Sequence, residues 1–143
     1  MGKGVLVFFY PASLPAGSGD TFVFQYGAIP ALVFGQDNRP EMDVAIPAYT
    51  TLITSMFLHG GWMHIICNMG YLWIVGDNVE DRVGHGRFIV FYLLCGMTAG
   101  FGQLLMNPGS YLPTIGASGA IAGVMGAYLV LYPRSRVITL IPL

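Results

Sequence analysis

The sequence predicts an all-α protein, a bundle of helices that crosses a membrane several times. Three observations carry that prediction. Charged residues make up 9% of the 143 residues, against ~25% in an ordinary soluble domain. Mean hydropathy is +0.65. No Asp, Glu, Lys or Arg occurs from Val44 to Gly76, a run of 33 residues, or from Phe88 to Pro133, a run of 46. A spanning helix needs ~20 mostly apolar residues. The second run therefore has room for two helices and a turn, the first for one helix and an uncharged approach. A soluble chain could hold such runs only by exposing large apolar patches. The same composition excludes disorder and nucleic-acid binding through a basic surface. The lipid bilayer is the partner it implies.

Taken in order, the chain reads as one membrane domain, residues 1–143. Gly4–Tyr10 is too short to span and reads as the tail of a first helix. Residues 17–48 read as a long connection with room for a short interfacial helix, interrupted by the polar turn cluster Asp37–Glu41. The first clear span runs roughly over 62–76, with Trp62 suited to the lipid–water interface. The polar segment Asp77–Arg87 ends it. A second span covers 88–106 and carries the pair Gly96 and Gly100, a GxxxG pattern that permits close helix contact. A third covers 112–132. Pro113, Gly116 and Gly119 predict that its chain enters irregularly and turns helical near Ser118. A partial span opens at 137–143. Cys67 and Cys95 sit in apolar runs without a CxxC spacing and read as small buried side chains. Arg82 and Arg87 share one loop with Arg134 and Arg136 two crossings later, so the positive-inside rule puts loops 77–87 and 133–136 in the cytoplasm. Ser118 then lies toward the extracytoplasmic side.

Two groups carry chemistry. Irregular backbone at membrane depth is tolerated only where it is buried in protein or lines a wet cavity. A serine at the point where such a chain turns helical has unpaired helix-start N–H groups beside it, and the helix dipole favours negative charge there. These are the parts of an oxyanion hole. Gly116 and Gly119 allow close approach around Ser118. The competing reading is packing, since Gly119, Gly123 and Gly126 line one helical face. The second group is His64 and Asn68, four apart and so on one face of their helix. Either they hydrogen-bond between helices for stability, or they donate to an oxyanion formed beside Ser118. Glu80 and Arg82 read as a solvated pair, His59 as a structural residue of the loop before the span, and His85 as solvated.

These pieces in this order resemble the rhomboid family of intramembrane serine proteases. The resemblance rests on His59-Gly60-Gly61-Trp62-Met63-His64-Ile65-Ile66-Cys67-Asn68, on Gly76-Asp77-Asn78-Val79-Glu80-Asp81-Arg82-Val83-Gly84, and on Gly116-Ala117-Ser118-Gly119-Ala120, and it covers roughly Thr50 to Arg136. It implies a rhomboid-like bundle of six or more helices around an outward-opening, water-filled cavity. It implies that Ser118 is the nucleophile, that its N–H with His64 and Asn68 stabilises the oxyanion, and that Gly116 shapes the loop. Glu80 and Arg82 become the structural pair of the loop after the second helix. The implied substrates are single-span membrane proteins, and no cofactor or metal is implied.

The chain departs from the family pattern in three places. No His follows Ser118, whereas the family draws its general base from a later helix. Thr50-Thr51 stands where members often have Trp-Arg, and Ala122 where many have an aromatic residue. The expectation is a copy truncated at both ends, inactive alone for want of the base. The alternative is a catalytically inactive relative that binds transmembrane clients. A channel or transporter subunit is disfavoured, because the clear spans hold no charged residue.

Overall fold

The computed structural model describes residues 18–36 and 46–135, and every regular element among them is helical. The expected partial spans at 4–10 and 137–143 and the turn cluster Asp37–Glu41 lie outside the described residues.

The connection before the first clear span contains two short helices. Ser18–Tyr26 forms α1, and Pro30–Val33 forms α2. Pro30 opens α2, where its missing N–H would have had no helical acceptor anyway. The chain between them reaches far along the sequence. Ala28 and Thr114 exchange backbone hydrogen bonds at 3.1 and 2.8 Å, and the Ala31 N–H donates to Ser110 O at 3.0 Å. Ala28, Ile29 and Ala31 are consequently buried.

Short turns of 3-10 helix at Ala48–Thr50 and Ser55–Phe57 flank Thr51–Thr54, which is α3. After an extended stretch, Trp62–Tyr71 (α4) runs without a break through a π-helical turn, Leu72–Gly76, into Asp77–Val83 (α5). The helix therefore continues into the polar segment expected to end the span. Charge ends a membrane crossing, not a hydrogen-bond ladder. What ends this helix is Gly84, whose φ of 90° only glycine takes without strain. His85–Met106 forms α6, and Ser118–Leu131 forms α7. By length and composition α6 is the one helix among the described residues able to cross a membrane. Its 22 residues amount to about 33 Å at helical rise.

The core lies where the π turn, α5, α6 and α7 meet. Val75, Val79, Phe88, Tyr92, Ala120, Ile121 and Val124 pack there with Met56 from the α3 turn. Small residues set the α6–α7 approach. A Cβ on Gly119 would sit 2.5 Å from the Ala99 Cβ, and one on Gly123 would collide with Cys95. Gly96 is filled by Met56 in the same way. Contact through glycines is thus what Gly96 and the Gly119/Gly123 pair supply, while Gly100 merely touches Leu52. The outward faces stay apolar, with Val90, Leu94 and Leu105 exposed on α6 and Leu129 and Val130 on α7. Cys67 is exposed and Cys95 half-buried, so the expectation of two buried thiols fails for Cys67, which lies on the outer face of α4.

Candidate active site

Ser118 is the first residue of α7. The chain before it is irregular from Asn107 onward, as Pro113 and Gly116 dictate. The first hydrogen bond of the helix runs from the Ile121 N–H to Ala117 O at 3.0 Å. The N–H groups of Ser118 and Gly119 precede it and lie outside the helical ladder. Ser118 itself is exposed. With Gly116 it lines a cavity of about 260 Å³, whose wall also holds Ser55, Gln103 and Thr114.

Three anchors fix the loop that presents Ser118. Two are the Ala28–Thr114 exchange and the Ala31–Ser110 bond. The third is the Gly116 N–H, which donates to Ser55 O at 2.8 Å. Gly116 takes φ 120°, a backbone region that side chains disfavour. It also has no room for one. A Cβ there would lie 2.8 Å from both Cε1 and Nε2 of His64. The structure thus brings His64 of α4 against the loop two residues before Ser118.

His64 is half-buried, and its Nδ1 accepts a long hydrogen bond of 3.4 Å from the Gly60 N–H. A neutral ring with its proton on Nε2 is the tautomer compatible with that bond. Nε2 lies on the edge facing Gly116. Beside it lies His59, wholly buried, with ring centroids 5.0 Å apart and the planes 66° from parallel. Burial, and then the neighbouring His64, hold the His59 pKa below its ordinary value of 6.5, against a smaller opposing effect of the Phe57 backbone.

Asn68 sits one turn beyond His64 on the same face and is buried. Its side-chain Nδ2 has no hydrogen-bond partner among the described residues. Leaving a buried amide unsatisfied costs about 1–3 kcal/mol. The helix that carries it, α4, packs directly on α7.

The second polar group is assembled differently from expectation. Glu80 pairs with Nδ1 of His85, not with Arg82. Residues two apart point to different sides of a helix, so Glu80 and Arg82 of α5 cannot meet side by side. Gly84 turns the chain back and delivers His85, the first residue of α6, to Glu80. His85 is therefore a partner and not a merely solvated side chain. Sequence reasoning also missed Ser55, whose contribution is a backbone carbonyl, and the Ala28 contact. A carbonyl leaves no mark in residue type, and a bridge between positions 28 and 114 leaves none in local periodicity.

Fold and site together define an α-helical protein with an apolar exterior and a serine at the head of a helix, with an imidazole packed against the loop that leads into it. The family described as Rhomboid domain matches residues 47–143, and the chain belongs to the rhomboid family. It is 39% identical over 125 residues to rhomboid protease GluP of Bacillus subtilis, an alignment covering 76% of this chain and 24% of that protein. It is 33% identical over 89 residues to the putative rhomboid protease YdcA of Bacillus subtilis, covering 62% of this chain and 44% of the relative. RHOMBOID-like protein 5 of Arabidopsis thaliana matches at 33% over 78 residues, covering 54% and 25%. The chain thus spans less than half the length of these relatives. No solved structure matches.

Proposed function

We propose that this chain carries the nucleophile and oxyanion hole of an intramembrane serine endopeptidase that cuts single-span membrane proteins. The observation that carries the reading is the His64 ring packed against Gly116, with Nδ1 occupied by Gly60 and Nε2 turned to the loop that ends in Ser118. In the reaction, Ser118 Oγ attacks the peptide carbonyl carbon and loses its proton to a general base. The carbonyl oxygen becomes an oxyanion, which accepts hydrogen bonds from the Ser118 N–H, His64 Nε2–H and Asn68 Nδ2. Collapse expels the amine, which takes the proton, and water then hydrolyses the acyl ester by the same route reversed. The unpartnered Asn68 amide supports this reading, because a donor with no acceptor at rest is available when negative charge appears.

None of the three histidines of the chain serves as the base in this reading. His64 is a donor, and His59 lies behind it. His85 lies fourteen residues along α6 from Ala99, the residue level with Gly119, or about 21 Å. The resemblance assigns the base to a histidine on a later helix. The chain crosses the bilayer several times, with Ser118 toward the extracytoplasmic side and loops 77–87 and 133–136 in the cytoplasm. The apolar faces of α6 and α7 support the membrane placement.

The test is Ser118→Ala in the membrane-embedded protein. Cleavage of a single-span reporter and labelling by a fluorophosphonate should both vanish, with membrane insertion unchanged. Cleavage that survives the substitution refutes the proposal. Client binding without any wild-type cleavage or labelling would instead favour the inactive, client-binding relative.

A further inference from the structure

We infer that His59 is a positioning residue for His64, fixing the ring that faces the Ser118 loop. The inference rests on the proposed function, because it needs His64 to act on the oxyanion.

An imidazole turns easily about its outer torsion, where the preference is broad and two-fold. A freely turning His64 would carry Nε2 away from Gly116. The hydrogen bond from Gly60, at 3.4 Å, is too long to hold it alone. His59 supplies a rigid surface instead. It is wholly buried, while Gly60 beside it is exposed, and its ring meets that of His64 edge-on at 5.0 Å. Edge-to-face contact of this kind is directional and restricts rotation of both rings. The Gly116 backbone bounds the same ring at the Cε1–Nε2 edge.

The segment that holds His59 also holds the serine loop. Ser55 O accepts the Gly116 N–H, and His59 follows four residues later, past the turn Ser55–Phe57. One stretch of chain therefore fixes both sides of the gap in which the oxyanion would form. Burial keeps His59 uncharged near neutral pH, so it can pack against His64 without repelling it.

The experiment is a double-substitution cycle on kcat for a single-span reporter, in the membrane-embedded protein, with His59→Gln, His64→Ala and both. His59→Gln should lower kcat about 5- to 30-fold with KM unchanged, the scale of coupling between residues in contact. In the His64→Ala background the same change should have almost no further effect. An equal factor in both backgrounds shows that His59 does not act through His64 and overturns the inference alone. If His64→Ala leaves kcat unchanged, the oxyanion role of His64 falls, and the inference with it. Should His59→Gln fail to fold, the nitrogen resonances of His64 in the wild-type protein decide. A proton on Nε2 at neutral pH supports the inference, and a proton on Nδ1 or rapid exchange between the two overturns it.

Discussion

Adding one methyl group at residue 116 should disable the site while leaving the chain folded. Two costs arise in Gly116→Ala. The backbone stands at φ 120°, and holding a residue with a side chain in such a region costs about 1–3 kcal/mol. The methyl would also lie 2.8 Å from two atoms of the His64 ring, about 0.6 Å inside ordinary van der Waals contact. Either the ring or the loop must move by roughly that amount, since Ser55 holds the loop from behind through the 2.8 Å bond to the Gly116 N–H. A misplacement approaching 1 Å near reacting atoms costs up to ~100-fold in rate. The expected result is a ~10- to 100-fold loss in the rate of Ser118 labelling by a fluorophosphonate, with insertion and helix content retained. A second substitution separates the two costs. In a His64→Ala background the ring is gone and only the backbone cost remains, so adding Gly116→Ala should slow labelling far less. Labelling of Gly116→Ala at the wild-type rate would refute the reasoning outright. An undiminished effect without the ring would show that the contact with His64 is irrelevant.

Three further outcomes follow from the same geometry. Asn68→Leu should stabilise the fold by about 1–3 kcal/mol in reversible unfolding from mild detergent, because an unsatisfied buried amide disappears, while cleavage falls ~10- to 1000-fold; a loss of stability would show that Asn68 is a structural bond. Gly123→Leu should destabilise by about 1–3 kcal/mol in the same measurement, since the new side chain meets Cys95 across the α6–α7 contact; unchanged stability would mean that the helices do not touch there. The pKa of His59 is lower in the folded protein than its ordinary 6.5, so the unfolded chain binds its proton first as pH falls. Stability should be full above pH 6.5 and decline as pH drops from there toward the folded pKa, and His59→Gln should remove that part of the decline; an unaltered pH profile would count against a buried neutral ring.

The parts of the site legible in the sequence are those fixed by local rules. Pro113 and Gly116 forbid a helix, so its start at Ser118 could be read directly, and four-residue spacing put His64 and Asn68 on one face. The glycines of the α6–α7 contact were legible because only glycine lets backbones meet so closely. What stayed hidden depends on closure over long distances. Which partner Glu80 takes is decided by the reversal at Gly84, which brings a residue five positions away closer than one two positions away. The helix of α4 runs on past the expected end of the span for a related reason, since hydropathy reports the bilayer and hydrogen bonding reports the helix. The placement of Ser118 is the extreme case. Its loop is pinned by carbonyl and amide groups of Ala28, Ala31 and Ser55, none of which carries a distinctive side chain. The family motif names the residues that would do the chemistry, but the angle at which they meet is set by unremarkable residues far away in sequence. A relative that kept the serine, histidine and asparagine while losing the Ala28–Thr114 bridge or the Ser55 anchor would therefore retain the motif and lose the site.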